Sequence, residues 1–247
     1  MPERRPTRAE GVLRQVLAGA LLASAAAFVH AAPPVENTMA QRVLACTGCH
    51  GPEGRAASDG YYPRIAGKPA GYLYNQLLSF RDGRRQYALM ANLLAPLTDA
   101  YLREIAEHFS RLELPYPPPQ SASKGADSAQ ALRGAALVTQ GDAALKIPAC
   151  NRCHGSALMG VAPGVPALIG LPRDYLNAQL GAWRTGNRHA MAPDCMAEVA
   201  KSLAPADIAA LSSWLSSQTV PPGAMPAASL PAAPPMRCGG LVMSASR

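Results

Sequence analysis

The chain has 247 residues, 49% hydrophobic and only 5% aromatic. Wholesale disorder is excluded, and the core must be filled by Ala, Leu and Val or by something that is not an amino acid. Six Cys are too few for a disulfide scaffold of this length, and 23 basic against 16 acidic residues give +7 without a Lys/Arg-rich run, which argues against a nucleic-acid partner.

The N-terminus reads as an address. Arg4, Arg5, Arg8 and Arg14 precede an uncharged run from Val16 to Val29, and Val29-His30-Ala31 offers a signal-peptidase site. This predicts a signal peptide over 1–31 and a periplasmic location. The run is about 14 residues, against the roughly 20 that span a bilayer. An uncleaved anchor is the competing reading; otherwise membrane contact would come only through partners. Removing 1–31 leaves 19 basic and 14 acidic residues, a charge of +5. Export also places the cysteines where an unprotected CxxC tends to oxidise.

The remainder is one unit written twice. Cys46-Thr47-Gly48-Cys49-His50-Gly51 recurs as Cys150-Asn151-Arg152-Cys153-His154-Gly155, 104 residues on. Pro63-Arg64-Ile65-Ala66-Gly67 recurs as Pro166-Ala167-Leu168-Ile169-Gly170 at 103, as do Tyr72-Leu73, Gln76, Arg81 and Gly83 at Tyr175-Leu176, Gln179, Arg184 and Gly186. Met90, Leu97, Leu102 and Ile105 match Met196, Leu203, Ile208 and Leu211 at 106. Such an ordered, slowly drifting offset is what loop insertions leave in a duplication. Pro115 to Gly125 is a Pro-rich connector that cannot continue a helix. The expected organisation is therefore a first domain over 32–119, a second over 120–218 and a Pro/Ala-rich, irregular tail over 219–247.

The predicted elements are helical, with no convincing strand alternation. Helices should lead into each CxxCH over 38–47 and 128–140. Tyr72–Arg81 and Tyr175–Arg184 read as a second pair, each stopped by Gly. Leu102, Ile105, Phe109 and Leu112 step along one face of a helix that Thr98 caps. Its counterpart spans 205–217, with Pro205 in its first turn.

CxxCH is the attachment signature of c-type haem. Two thiols add across the porphyrin vinyl groups, and the next residue brings its imidazole to the iron. The other readings of CxxC are a redox pair, which wants a βαβ setting, a zinc site, which would have to join motifs about 100 residues apart, and a structural disulfide. Two covalently attached haem c groups are expected, at Cys46, Cys49 and His50 and at Cys150, Cys153 and His154. A porphyrin would also supply the core that Phe and Trp do not. The sixth iron position calls for a soft donor in each copy. Met90 and Met196 lie 40 and 42 residues beyond their His, each eight residues before the last helix. Equivalence in both copies favours these over Met191, His108 or His189. Pro63 and Pro166 could offer carbonyls to the proximal imidazoles. Arg81, Arg84, Arg85, Arg184 and Arg188 would either pair with haem propionates or form a solvated basic face.

With these residues the chain resembles the periplasmic two-domain, two-haem class I cytochromes c of the c-four type over about 36–218. The resemblance implies an all-α fold of two tandem cytochrome c domains. It implies one-electron carriage from a quinol-oxidising complex or dehydrogenase toward a terminal oxidase or reductase, through redox protein partners. The alternative is a haem subunit or enzyme of sulfur-compound or alcohol oxidation. A carrier is favoured because each copy offers a sixth ligand and no acid–base constellation is evident. The tail with Cys238 and the segment Asp194-Cys195-Met196 depart from the family pattern. Cys195 and Cys238 either form a disulfide pinning the tail near the second haem, or Cys195 replaces Met196 at iron. Charge is uneven, +1 over 32–118 and +4 over 119–247, as for a second half that meets an acidic partner.

Overall fold

The computed structural model describes residues 8–9, 36–56, 60–121 and 128–241. Nearly all of the expected signal segment lies outside them. Five helices belong to the first copy: α1 (Met39–Arg42), α2 (Leu44–His50), α3 (Ala70–Arg81), α4 (Ala88–Leu94) and α5 (Asp99–Ser110). Five belong to the second: α6 (Ser128–Thr139), α7 (Asn151–His154), α8 (Arg173–Thr185), α9 (Cys195–Ser202) and α10 (Pro205–Ser216). The described residues hold no strand, only isolated bridges, one of which pairs Arg85 with Arg188. None of their helices is long and apolar enough to cross a membrane.

Local chemistry sets these boundaries. The Thr98 hydroxyl accepts from the Tyr101 N–H at 3.3 Å and opens α5 as expected. Pro205 starts α10 with its φ already helical, and Asp207 accepts from the Ala204 N–H at 3.1 Å. Gly186 ends α8 in the left-handed conformation. The lead-in helix expected over 38–47 is divided at Val43, which turns its side chain into the core instead of continuing α1. Three helices were not expected, α4, α7 and α9. They have seven, four and eight residues, shorter than the window over which helical periodicity declares itself.

Two cores result. In the first, α5 packs on α3 and α4 on α3, burying Leu73, Phe80, Leu94, Leu102, Ile105 and Phe109. In the second, α10 packs on α6 and α8, burying Leu137, Ile169, Leu176, Leu203, Leu211 and Leu215, while α9 lies on α8. Each such side chain contributes about 1.5–3 kcal/mol of burial. The connector is held at both ends. Buried Arg64 donates to the Leu114, Pro115 and Ala66 carbonyls at 2.6, 2.9 and 3.0 Å, with its guanidinium 4.1 Å above the Tyr116 ring. Tyr116 packs against the second core, and the Gln120 N–H bonds the Ser216 carbonyl at 2.9 Å. Residues from Thr38 onward accordingly cluster as one unit.

Candidate functional site: two paired imidazole–thioether cavities

Each CxxCH ends a helix with its His turned inward. Gly51 and Gly155 follow at φ 75° and 82° with extended ψ, a conformation open almost only to glycine. The chain thereby leaves the helix at once, and both imidazoles are buried. His50 Nδ1 lies 2.8 Å from the Pro63 carbonyl, and His154 Nδ1 lies 2.9 Å from that of Pro166. A carbonyl can only accept, so Nδ1 carries the proton and Nε2 keeps its lone pair for a metal. Burial pushes both imidazoles below their ordinary pKa, against the opposing effect of that hydrogen bond. They are therefore neutral, as ligation requires.

Both sets of expected residues meet around cavities. In the first half, Cys46, Cys49, His50 and Met90 line a cavity of about 660 Å³ walled by Leu73, Phe80, Leu94 and Ile105. In the second, Cys150, Cys153, His154 and Met196 line a narrower space of about 200 Å³. Met90 lies on α4 and Met196 on α9, so two of the unexpected helices carry the two thioethers. None of the four motif thiols is disulfide-bonded. Burial raises the thiol pKa of Cys46 and Cys153, and that of Cys150 up to about 12.

Between the cavities lies a polar network with the symmetry of the repeat. Arg85 donates to Gln76 at 3.0 Å and across to Gln179 at 2.6 Å. Arg188 donates to Gln179 at 2.8 Å and across to Gln76 at 3.0 Å and the Tyr72 hydroxyl at 3.3 Å. Arg188 is 4% and Lys68 6% exposed. No carboxylate among the described residues forms an ion pair with Arg85, Arg188 or Lys68. Burial would raise the Tyr72 phenol, but the charges of Arg188, Arg85 and Lys68 outweigh it and pull the group down to about 8. Trp183, over whose ring the Arg188 guanidinium sits at 3.8 Å, lines the second cavity with a buried Nε1–H that has no protein acceptor.

These features fit a porphyrin. It would bring an apolar disc for the walls and carboxylates for the cations and for the Trp183 N–H.

Comparison with known proteins decides the matter. The family model for cytochrome c matches residues 131–219. The "Thiosulfate dehydrogenase electron acceptor" of Thiomonas intermedia (strain K12) is 37% identical, over 85% of this chain and 94% of that protein. The chain belongs to the dihaem cytochrome c4 family. The reduced cytochrome c4 from Pseudomonas stutzeri superposes with a TM-score of 0.62 at 31% identity, covering 73% of this chain and 96% of that one. A thiosulfate dehydrogenase from Marichromatium purpuratum superposes at 0.63 and 32% identity over 71% of this chain, which spans only 36% of the length of that protein. As a cytochrome c4-type protein the chain carries covalently bound haem c, and its two halves fit two haems.

The other residues singled out in the sequence divide between those that fall as expected and those that do not. Of the five arginines, only Arg85 and Arg188 line a cavity. Arg81 donates to the Leu97 carbonyl at 3.0 Å and Arg184 to that of Leu203, so this pair fastens the turn after each Met-bearing helix. Arg84 pairs with Asp82 at 3.1 Å. His108 stacks edge-on against Phe109, and His189 is exposed; neither lines a cavity. Met191 does line the second cavity beside Met196. Cys195 and Cys238 form a disulfide with a Cα separation of 5.1 Å, which removes Cys195 as a thiolate ligand. Gln76, Gln179, Lys68 and Trp183 were not picked out as functional residues. The signal for the glutamines was present, since they share the offset of 103 with Arg85 and Arg188.

Proposed function

We propose that this chain is a one-electron carrier with one haem at Cys46 and Cys49, ligated by His50 and Met90, and one at Cys150 and Cys153, ligated by His154 and Met196. The domain boundary falls near residue 120, and a signal over 1–31 exports the protein to the periplasm. One observation carries this reading: each cavity sets an imidazole with a free Nε2 and a thioether in the same lining. When bound, the haems supply one-electron iron couples, and His/Met ligation places these at raised potential. The chain's own residues do the rest. Pro63 and Pro166 orient the imidazoles and raise their basicity. Arg81 and Arg184 hold the turns after the thioether helices. The Arg85–Gln76–Gln179–Arg188 network joins the two sites across the repeat.

A carrier needs both iron positions closed, and this donor set closes them. The donor is best read as a sulfur-compound dehydrogenase, because a relative named as a thiosulfate dehydrogenase electron acceptor matches over 94% of its length. Delivery from a quinol-oxidising complex toward a terminal oxidase is the second reading, favoured by the match over 96% of a cytochrome c4. Stopped-flow reduction of the oxidised holoprotein tests the choice. Rapid two-electron uptake from thiosulfate plus a thiosulfate dehydrogenase, and none from thiosulfate alone, supports the first reading. Turnover of thiosulfate by the holoprotein without that enzyme would contradict the carrier assignment.

A further inference from the structure

The tail after α10 departs from the repeat, yet it is not loose. The Ala227 N–H bonds the Gly160 carbonyl at 3.0 Å, and its carbonyl accepts from the Ala162 N–H at 2.8 Å. Further along, Cys238 is bonded to Cys195, the residue immediately before Met196. The Gly239 N–H then bonds the Pro193 carbonyl at 2.9 Å, and Asn75 of α3 donates to the Gly240 carbonyl at 3.1 Å. Gly239 has no alternative side chain: a Cβ there would collide with the Ala192 carbonyl. Asp194 completes the arrangement, accepting from the Ala190 N–H at 2.6 Å and the Ala197 N–H at 3.0 Å. Leu230, Pro234, Met236 and Leu241 reach the lining of the second cavity, and no described residue beyond Arg188 reaches the first. At the first rim Tyr61 and Leu89 stay 62% exposed.

We infer that residues 219–241 are a disulfide-fastened cover over the second haem pocket, with Cys195, Cys238 and Gly239 acting as positioning residues for the Met196 segment. The cover keeps exogenous ligands from the second iron and leaves the first as the accessible centre. The inference rests on the haem and ligand assignment above. Its physical basis is local: a helix of eight residues holds its first turn poorly alone, and a covalent tie beside the thioether removes the openings that would release it. The disulfide does this by limiting the opened states, and no electron passes through it.

The test is imidazole uptake by the oxidised holoprotein, followed as loss of the thioether–iron charge-transfer band. Wild type should show two phases of equal amplitude, fast for the first centre and slow for the second. C195S/C238S, and independently G239A, should speed the slow phase by roughly tenfold or more, equivalent to about 1.4 kcal/mol of local closure, and leave the fast phase unchanged. Two-haem protein whose slow phase is unmoved in both variants overturns the cover alone. Wild type with fewer than two haems, or with no thioether band at the second centre, overturns the ligand assignment and the cover with it.

Discussion

The first cavity measures about 660 Å³ and its rim exposes Tyr61, Leu89 and Leu93, whereas the second measures about 200 Å³ and is overlaid by a tail tied to the residue next to Met196. The groups expected to face the cofactor are nevertheless the same in both: a buried His on a proline carbonyl, two thiols, a Met on a short helix and an Arg on a shared Gln. Duplication has kept these cavity-lining groups, and the halves diverge at the cavity rims. The buried cluster of Leu137, Val138, Ile147, Leu158 and their neighbours in the second half is the larger, so that half should depend less on its cofactor for folding.

The largest expected effect follows from that difference. Removing the attachment thiols of the first half, C46A/C49A, should leave one haem per chain by mass spectrometry and unfold that half, seen as loss of amide protection in α3 and α5. C150A/C153A should also lose one haem but retain protection in α6 and α10. Equal collapse of both halves would break the comparison. Next in size is the network between the cavities. R188Q removes a fully buried cation and should cost about 3 kcal/mol in chemical denaturation of the holoprotein, while the partly exposed R85Q should cost about 1 kcal/mol. W183F should cost about 1 kcal/mol and shift the potential of one centre only, because the first half already has Phe80 at that place.

The smallest effect is pH-dependent. Arg133 joins α6 to Asp207 of α10 and to Asp142, both at 2.8 Å, whereas the Arg42–Glu104 pair between α1 and α5 of the first half is more exposed and longer, at 3.5 Å. The Arg133 hydrogen bond, helped by the Leu145 N–H, holds the Asp142 carboxyl below its usual 3.8. A carboxylate depressed in the fold adds stability above its unfolded value, and that stability is lost as pH falls through the folded value. R133Q should therefore lower stability slightly at pH 7, change little at the acid end where the contribution is already lost, and so flatten the acid limb of the stability profile below about pH 4. An unchanged acid limb would remove this tie from the account.

Much of this was legible in the residues. CxxCH twice, with a shared offset, fixes the cofactor chemistry before any fold is known, and the steps of Leu102, Ile105 and Phe109 and of Ile208, Leu211 and Leu215 mark the helices that close each core. The proline carbonyls were legible too, because an imidazole committed to iron needs an acceptor for its other N–H. What was hidden depended on distance in space. Arg85 and Arg188 sit in loops, and only the folded arrangement shows that each reaches the glutamine of the other copy. Arg81 and Arg184 belong to the same cluster in sequence, but helix geometry sends them to the Leu97 and Leu203 carbonyls. Composition marks the tail as irregular and cannot say that Ala227, Cys238, Gly239 and Gly240 hold it down.

The pairing of imidazole with thioether in both cavities is the claim on which the rest stands. Spectroelectrochemical titration of wild type, M90A, M196A and the double variant, following the thioether–iron band together with the midpoint potentials, tests it most directly. The account predicts that each single variant loses half of the band and lowers one potential, and that the double variant loses the band entirely. A band that survives undiminished in either single variant would contradict it, because a different residue would then hold that iron.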